Sequence, residues 1–370
     1  MKVIHKIAVL LNNNLGEKSE IASFSSDNFV ALLYDKENVH TVVGHLIEAF
    51  QEPIIIDEQL INVEINAGVT MSPEHSKDVT ELLLFVEFAT IESRRLGKYQ
   101  SVFFNNEMSE RMHQRYLIKT ELIDAIKKNE FYLLYQPQID STTQKVIGVE
   151  ALTRWQNDKI GFVSPEIFIP IAEKRGHMVE LGRFILEESI RTASRWKNKG
   201  YDFGSISINL SPTELTSGNY VETISQLCEK YDVPKSMLKL EITEGVYVES
   251  MQNSLETVRE LVDAGFAISV DDFGTGYSNL AFLSKARIDT LKIDKSLIDS
   301  IDEKTGRIVV KTIIDLGRNL NYKVLAEGVE TEEQLQMLTE MGCHLIQGYY
   351  FSKPKTMDEM EAVFKNNNLL

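Results

Sequence analysis

The stretch that most limits what this chain can fold into is residues 266–280, FAISVDDFGTGYSNL. Its first five residues are mostly apolar and β-leaning, which is typical of a strand buried on both faces. Two adjacent carboxylates, Asp271 and Asp272, and a glycine-punctuated loop follow. Such carboxylates either cap the next helix or hold a divalent metal, because hard cations prefer carboxylate oxygens. This stretch alone leaves both interpretations open.

Length and charge exclude several classes of function. The 370 residues leave room for two domains, one of them a full barrel, and the hydrophobic share of 43% is that of an ordinary globular protein. A formal net charge of −16 argues against a binder of nucleic-acid polymers or anionic membranes. A small phosphate ligand remains compatible with this charge, because a bound metal can reverse the local sign.

The expected location is the cytoplasm. The chain contains two cysteines, Cys228 and Cys343, and no CxxC motif, which fits a reducing compartment. The apolar run near the N-terminus, residues 7–11, is too short for a signal sequence or a membrane span. We therefore expect no membrane contact within this chain.

The pattern of apolar residues divides the chain into two parts. Residues 1–108 predict a small mixed α/β domain with strands at 29–33 and 62–69 and a helix at 79–96. A helical linker is expected at 109–128. Between about 115 and 366, short apolar segments alternate with amphipathic ones. The helices predicted there are 179–196, 221–231, 254–264, 305–320 and 332–341. The predicted strands are 131–136, 146–152, 206–210, 238–243, 266–270, 290–293, 323–326 and 344–349.

Eight strands that mostly alternate with helices point to an α/β fold, a (β/α)8 TIM-like barrel. The N-terminal part would then be a partial mixed α/β domain in front of this barrel. An open doubly wound sheet is the alternative, but no GxGxxG motif follows any predicted strand.

Polar side chains lie at the predicted C-terminal ends of all eight strands, where barrel enzymes carry their chemistry. A single acid at a strand end is more often a helix cap, but caps do not explain a full ring. Oxygen ligands with one amide and one lysine suit Mg²⁺ or Mn²⁺ better than zinc. Lys292 needs carboxylates or a developing negative charge beside it, because an unpaired ammonium is costly in an apolar strand end. The full set is Gln136, Glu150, Asn209, Glu241, Asp271, Asp272, Lys292, Glu327 and Gln347.

Seven motifs follow one another in this part of the chain. They are EALTRW (150–155), SINLSP (207–212), LEITEG (240–245), DDFGTGYSNL (271–280), LKIDKSLI (291–298), AEGVET (326–331) and QGYYFSKP (347–354). In order and with suitable spacing over residues 115–366, they resemble the motifs of the EAL-domain family. This family consists of cyclic di-GMP phosphodiesterases, so the resemblance implies metal-dependent hydrolysis of cyclic di-GMP to linear pGpG.

The resemblance also implies a catalytic role for particular residues. Glu150, Asn209, Glu241 and Asp271 would bind a first metal. Asp271 would bridge to a second metal, which Asp272 and Glu327 would also hold. Two such ions lower the pKa of a bridging water and clamp the attacking and leaving oxygens of an in-line displacement. Lys292 would orient that water or neutralise phosphate charge, and Glu327 is the candidate general base.

Substrate contacts are implied in the same way. Gln136, Arg154, Gln347 and Asp294 would bind the ligand, Arg154 through its forked donors. Glu244, Glu330 and Thr243 would support the site and the loop that follows Asp272. Trp155, Tyr349 and Tyr350 would either stack on guanine or pack in the core.

The resemblance further implies two Mg²⁺ or Mn²⁺ ions per site and a homodimer formed through the barrel domain. We expect inhibition by Ca²⁺, because this larger ion tolerates loose geometry and would hold water less productively.

The N-terminal part resembles the later half of a GGDEF domain, in the stretches SFSSDNFVALL, INAGVTMSP and FATIESRRLGKYQSVFF. Residues 25–29 occupy the position of the signature loop and lack its two glycines and its final acid. We therefore expect no cyclase activity, and a regulatory or dimerisation module or a vestige instead.

Two other functions stay open at this stage. The first is a catalytically silent receptor that binds cyclic di-GMP and signals through protein contacts. An intact ligand set argues against it, because a receptor has no need of Lys292 and a full metal cage. The second is a barrel enzyme of the enolase type, which also surrounds Mg²⁺ with carboxylates and a lysine. The DDFGTG and QGYYFSKP motifs do not belong to that type.

Overall fold

The structure is a computed structural model, and it describes residues 2–16, 18–25, 27–34, 38–56, 59–243, 253–275 and 287–366. The chain divides into two compact units, Met1–Leu117 and Ile118–Leu370. Helix α4, Asn106–Lys127, contains the boundary between them. Glu244 and most of the loop after Asp272 lie outside the described residues.

In its described residues, the first unit is built from short strands and three further helices. Its strands form two antiparallel pairs, β1–β2 and β3–β4, and one parallel pair, β5–β6. Its elements are α1 (Lys2–Leu15), β1 (Ser19–Ser23), β2 (Phe29–Leu33), α2 (Val39–Ala49), β3 (Ile54–Ile56), β4 (Gln59–Ile61), β5 (Ala67–Val69), α3 (Val79–Arg95) and β6 (Ser101–Phe103).

Two of the three elements predicted in this unit are present, and the prediction of the third, the strand at 62–69, is mostly wrong. The strand at 29–33 has the predicted bounds, and α3 ends one residue before the prediction. Of the strand predicted at 62–69, residues 67–69 form β5. Among the described residues β5 pairs only with the three residues of β6, so the alternating residues before Ala67 have no ladder to join.

The second unit is a closed barrel of eight strands, as predicted. The strand order is β8, β10, β11, β12, β13, β14, β15 and β7, and β7 pairs with β8 to close the ring. A short strand β9 extends β8 outside it. The strands are β7 (Phe131–Asp140), β8 (Lys145–Asn157), β9 (Gly161–Val163), β10 (Ser205–Asn209), β11 (Leu238–Thr243), β12 (Ala267–Phe273), β13 (Thr290–Ile293), β14 (Lys323–Ala326) and β15 (Leu345–Ile346).

The first barrel strand runs against the others. β7 is antiparallel to both of its neighbours, whereas the remaining seven strands are parallel. Four residues connect β7 to β8, and Gln144 among them has φ +55°. A connection of this length makes a hairpin, because a parallel crossover needs a dozen or more residues.

Amphipathic helices cover the outside of the barrel, and their apolar faces bury two clusters against it. All five predicted helices of this part are present, with ends within two residues of the prediction. The helical linker predicted at 109–128 lies within α4 except for its last residue. The helices are α5 (Pro165–Arg175), α6 (Met178–Asn198), α7 (Pro212–Leu215), α8 (Tyr220–Lys230), α9 (Asn253–Asp263), α10 (Lys295–Asp299), α11 (Lys304–Asn319), α12 (Glu332–Met341) and α13 (Met357–Asn366).

Within the described part of the chain, no helix is long and apolar enough to cross a membrane.

Candidate active site

Lys292 is the centre of an acidic cluster inside the barrel. It is the third residue of β13, a strand buried along its whole length, and its side chain is 1% exposed. Its Nζ lies 2.6 Å from Glu241 Oε2, 2.6 Å from Glu327 Oε1 and 3.0 Å from Asp271 Oδ1. Glu150 Oε2 lies 3.7 Å away. The lysine therefore has the carboxylate neighbours that the sequence predicts for it.

The carboxylates fall into two groups that share one member. Glu150, Glu241 and Asp271 each offer an oxygen within 4.8 Å of the others, and so do Asp271, Asp272 and Glu327. In the described residues neither group contains a histidine or a cysteine. Oxygen-only groups of this kind suit Mg²⁺ or Mn²⁺.

A local distortion of β12 brings both aspartates to the second group. In a regular strand adjacent side chains point to opposite faces. Here the β12–β13 ladder shifts register between Val270 and Phe273, and Asp272 has φ +54°. A non-glycine residue in this left-handed region is strained by about 1–3 kcal/mol, and β-bulges commonly turn side chains toward a site. Asp272 thereby joins Asp271 instead of pointing away from it.

The cluster carries more negative charge than its lysine balances. Burial raises the pKa of Glu327 well above its usual range, and the surrounding carboxylates add to this. Burial and the neighbouring Asp271 raise the pKa of Asp272 to about 6. Burial opposes the charge of Lys292, but the surrounding carboxylates together raise its pKa well above the ordinary value. Lys292 therefore stays charged.

The donor set fits a pair of divalent cations. Glu241 Oε1 is buried and has no hydrogen-bond partner among the described residues, which is costly for a carboxylate oxygen unless a cation faces it. The five carboxylates and one ammonium carry a formal charge of −4 when ionised, which two divalent cations would cancel.

Amides hold Glu150 from two sides. Asn209 Nδ2 donates to its Oε1 at 2.8 Å, and Gln347 Nε2 donates to its Oε2 at 2.5 Å. Gln347 also donates to Gln136 Oε1, whose own amide nitrogen donates to the backbone oxygen of Ser352. The structure thus brings Asn209, Gln136 and Gln347 to the acidic cluster.

The assumption that every one of these residues ends a strand is wrong for several of them. Gln136 lies in the middle of the antiparallel β7, opposite Glu150, and Glu150 is the sixth of the thirteen residues of β8. Asp271 and Asp272 belong to β12 instead of following it. The side chains still converge because they share the inward face of the barrel.

Other predicted residues make contacts of a different kind. Arg154 Nη1 donates to the carbonyl oxygen of Thr153. The carboxylate of Asp294 caps α10 by accepting from the backbone N–H of Ser296. Glu330 pairs with Lys295 at the surface. Thr243 is the exposed last residue of β11, beside Asp271 in the ladder, and Glu244 lies outside the described residues.

Of the three aromatic candidates, Trp155 belongs to the core. It is fully buried against Phe131 and Phe168, and its indole N–H donates to Glu130 Oε2 at 3.0 Å. The stacking alternative is therefore wrong for Trp155. Tyr350 packs against Phe351 and the core cluster next to it. Tyr349 is 54% exposed, and Lys353 Nζ lies 5.5 Å from its ring centre.

Sequence reasoning missed Gln138, which is 2% exposed and donates to Gln347 Oε1 at 3.0 Å. A signal was present, because Gln136 and Gln138 are two apart in a strand that is otherwise largely apolar. Side chains two apart in a strand share one face.

A closed (β/α)8-type barrel with an oxygen-rich, lysine-centred acidic cluster on its inner face defines the class of this protein. The EAL domain family matches residues 119–354. The chain belongs to the EAL-domain family, which confirms the prediction from its motifs.

The sequence similarity to known proteins extends beyond the barrel of this chain. The chain is 30% identical over 360 residues to the bifunctional diguanylate cyclase/cyclic di-GMP phosphodiesterase MucR of Pseudomonas aeruginosa, covering 96% of this chain and 53% of that protein. It is 30% identical over 354 residues to the cyclic di-GMP phosphodiesterase NbdA of the same species, covering 95% and 45%. The chain thus spans about half the length of these relatives.

Solved structures agree on the barrel. The c-di-GMP complex of the PaMucR phosphodiesterase is 34% identical with a TM-score of 0.64, covering 66% of this chain and 99% of that one. An EAL-domain protein from Listeria monocytogenes is 32% identical with a TM-score of 0.58, covering 67% and 97%.

Proposed function

We propose that this chain hydrolyses cyclic di-GMP to linear pGpG with two divalent metal ions. The observation that carries the proposal is the pair of oxygen-ligand groups that share Asp271 around the buried Lys292. The names of MucR and NbdA, and the ligand in the MucR complex, supply the substrate class. Lowering the concentration of such a bacterial second messenger would affect motility and biofilm formation.

The proposed ligand assignment follows the two groups. Glu150, Glu241, Asp271 and the amide oxygen of Asn209 would hold the first ion, and Asp271, Asp272 and Glu327 the second. Bound there, Mg²⁺ or Mn²⁺ would lower the pKa of a water and stabilise charge on the phosphate. Ca²⁺ would bind in a looser geometry and inhibit.

The residues of the chain would perform the remaining tasks. A water oxygen forms a bond to phosphorus while the bond from phosphorus to one ribose 3′ oxygen breaks. Glu327, whose Oε1 lies 2.6 Å from Lys292 Nζ, would take the proton from that water, and the departing 3′ oxygen would take a proton from solvent. Lys292 would keep the carboxylates in place and offset phosphate charge. Gln136, Arg154, Gln347, Asp294 and the exposed Tyr349 would contact the nucleotide.

We further propose that the first unit is a GGDEF remnant without cyclase activity, that the chain forms a homodimer through its barrel and that it acts in the cytoplasm. Of the residues at the position of the signature loop, 25–29, Phe29 begins β2, and Asn28 just before it accepts a hydrogen bond from Arg94 of α3.

The test is turnover of cyclic di-GMP with Mg²⁺ or Mn²⁺, followed by chromatography of pGpG. We expect metal-dependent product from the wild type and at least a 1,000-fold loss in Glu150→Ala. Glu222→Ala, which removes an exposed glutamate of α8, is the control and should keep full activity. Tight binding of cyclic di-GMP without turnover in either metal would contradict the proposal and leave the receptor function instead.

A further inference from the structure

A chain of three buried amide and carboxylate groups leads from β7 to the acidic cluster. Gln138 Nε2 donates to Gln347 Oε1 at 3.0 Å, and Gln347 Nε2 donates to Glu150 Oε2 at 2.5 Å. Gln138 is 2% exposed, Gln347 4% and Glu150 5%. Water therefore does not compete for these hydrogen bonds, and each group depends on its protein partner.

The chain of hydrogen bonds has one favourable direction. A side-chain amide presents a donor on one side and an acceptor on the other, and turning it over exchanges the two. A carboxylate only accepts when it is ionised, so Gln347 must turn its NH₂ group toward Glu150. Its carbonyl oxygen then needs a donor on the opposite side. Gln138 supplies that donor.

The barrel makes room for Gln138 with a glycine on the neighbouring strand. Gln138 lies opposite Gly148 in the β7–β8 ladder. A Cβ atom at position 148 would lie 2.9 Å from Gln138 Oε1 and 3.2 Å from the backbone oxygen of Ser205. Those distances are closer than ordinary contact, so any larger residue here would push the Gln138 amide away from Gln347. A substitution at position 148 is therefore a second way to disturb the hydrogen bond between Gln138 and Gln347.

We propose that Gln138 is a positioning residue, which fixes the amide of Gln347 and thereby holds Glu150 in the orientation that binds metal. The inference rests on the proposed function, in which Glu150 is a ligand of the first ion. Without Gln138, the buried oxygen of Gln347 loses its donor, and the amide is held only through its NH₂ group, by Glu150 and Gln136. Glu150 would then be drawn toward Lys292 Nζ, which lies 3.7 Å from its Oε2.

The test compares Gln138→Met with a control that breaks a different buried hydrogen bond of the same strand. Methionine keeps the unbranched shape of glutamine and removes its hydrogen-bonding groups. The control is Thr192→Val on α6, which breaks the buried hydrogen bond between Tyr135 Oη of β7 and Thr192 Oγ1 on the outer side of the barrel. Binding of Mn²⁺ alone is measured by the paramagnetic resonance signal of the free ion, and kcat and KM are measured separately.

We expect Gln138→Met to weaken Mn²⁺ binding and lower kcat by about 10–100-fold, the usual effect of removing a group that orients a metal ligand. KM should change less than kcat. In Thr192→Val, the Mn²⁺ affinity, kcat and KM should all stay within twofold of the wild-type values. Gly148→Ala should reproduce part of the loss and cost less in a Gln138→Met background than in the wild type, because its Cβ would meet Gln138 Oε1 as well as the backbone oxygen of Ser205. Wild-type Mn²⁺ affinity and kcat in Gln138→Met would overturn the inference and leave the proposed function standing.

A second readout does not depend on metal or turnover. In metal-free protein labelled with ¹⁵N-glutamine, the side-chain amide signal of Gln347 is assigned by its loss in Gln347→Met. This signal should shift and exchange faster with solvent in Gln138→Met but not in Thr192→Val. An unchanged signal would overturn the inference whatever the wild-type enzyme does. A wild type without Mn²⁺ binding or turnover, but with the expected shift, would instead contradict the proposed function.

Discussion

Lys292 of β13 reaches across the barrel interior to Glu241 of β11, with 2.6 Å between Nζ and Oε2. Asp271 of β12, the strand between them, lies 3.0 Å from the same nitrogen. Three neighbouring strands are thus joined through one ammonium on their inward face. This lysine holds together carboxylates that would otherwise repel each other.

Replacing that lysine should destabilise the metal-free protein. Lys292→Met leaves buried carboxylates without their cation, and breaking such a buried ion pair costs about 3–5 kcal/mol. The loss should be larger at pH 8 than at pH 5.5, because protonation at the lower pH relieves the repulsion. Urea unfolding in the presence of a chelator measures both values. Lys295→Met, which removes an exposed partner of Glu330, should cost less than about 0.5 kcal/mol.

A metal-free Lys292→Met protein as stable as the wild type at pH 8 would show that the lysine does not offset the carboxylates.

Metal binding should raise the stability of the wild type, and Asp271 should matter more than Asp272. An ion that binds only the folded state adds about 2.7 kcal/mol at 100 times its Kd. Asp271 belongs to both oxygen groups and Asp272 to one. Asp271→Asn should therefore abolish the increase in Tm with Mn²⁺, whereas Asp272→Asn should keep part of it. Equal effects of the two substitutions in a thermal titration would contradict the shared-ligand geometry.

Glu214 should make the stability depend on pH. This glutamate of α7 is 4% exposed, and burial raises its pKa to about 7. Its native pKa lies above the unfolded value of about 4.5, so the native state binds more protons between these values and the free energy of unfolding falls as pH rises through them. The free energy of unfolding falls by about 3 kcal/mol in total, and this fall is complete above pH 7.

Glu214→Gln should remove this loss. Glutamine can still accept hydrogen bonds from the backbone and hydroxyl of Ser211, so the end of the helix stays capped. The variant should be more stable than the wild type at pH 8 by up to about 3 kcal/mol and nearly equal to it at pH 5. The exposed Glu222→Gln is the control. A difference between Glu214→Gln and the wild type that does not change with pH would rule out titration of Glu214.

Two of the three aromatic candidates, Trp155 and Tyr349, should respond in opposite ways. Trp155→Ala should lower the free energy of unfolding by about 3–5 kcal/mol, because it empties a fully buried position. Tyr349→Ala should change it by less than about 0.5 kcal/mol, since the ring is largely exposed, and should raise KM for the nucleotide. Denaturation and steady-state kinetics separate the two. A large stability loss in Tyr349→Ala with unchanged KM would contradict its assignment to the ligand.

Much of the barrel could be predicted because its strands and helices differ in period. The strands 238–243, 290–293 and 323–326 are short apolar runs with bounds that the structure reproduces. Lys292 was informative for a simple reason: an ammonium in such a run requires carboxylates around it. This part of the site follows from the cost of burying a charge.

Neither the antiparallel direction of β7 nor the direction of the Asp272 side chain could be predicted in this way. Periodicity shows which face a side chain takes but not the direction of a strand. The prediction therefore placed Gln136 at the end of a parallel strand, whereas it lies in the middle of the antiparallel β7. In a strand with regular alternation, the side chains of Asp271 and Asp272 would point to opposite faces. The bulge that prevents this depends on pairing with β13. Both features depend on contacts between segments far apart in sequence.

The most direct test of the account is hydrolysis of cyclic di-GMP in ¹⁸O-labelled water, with mass spectrometry of the product. With Mn²⁺ we predict pGpG that carries one ¹⁸O in its terminal 5′-phosphate, and no product with a chelator. The label reports attack of water on phosphorus and cleavage of the bond to the 3′ oxygen. A label in the ribose 3′-hydroxyl instead of the phosphate, or no product while cyclic di-GMP is bound, would contradict a metal-dependent phosphodiesterase built around Lys292 and Asp271.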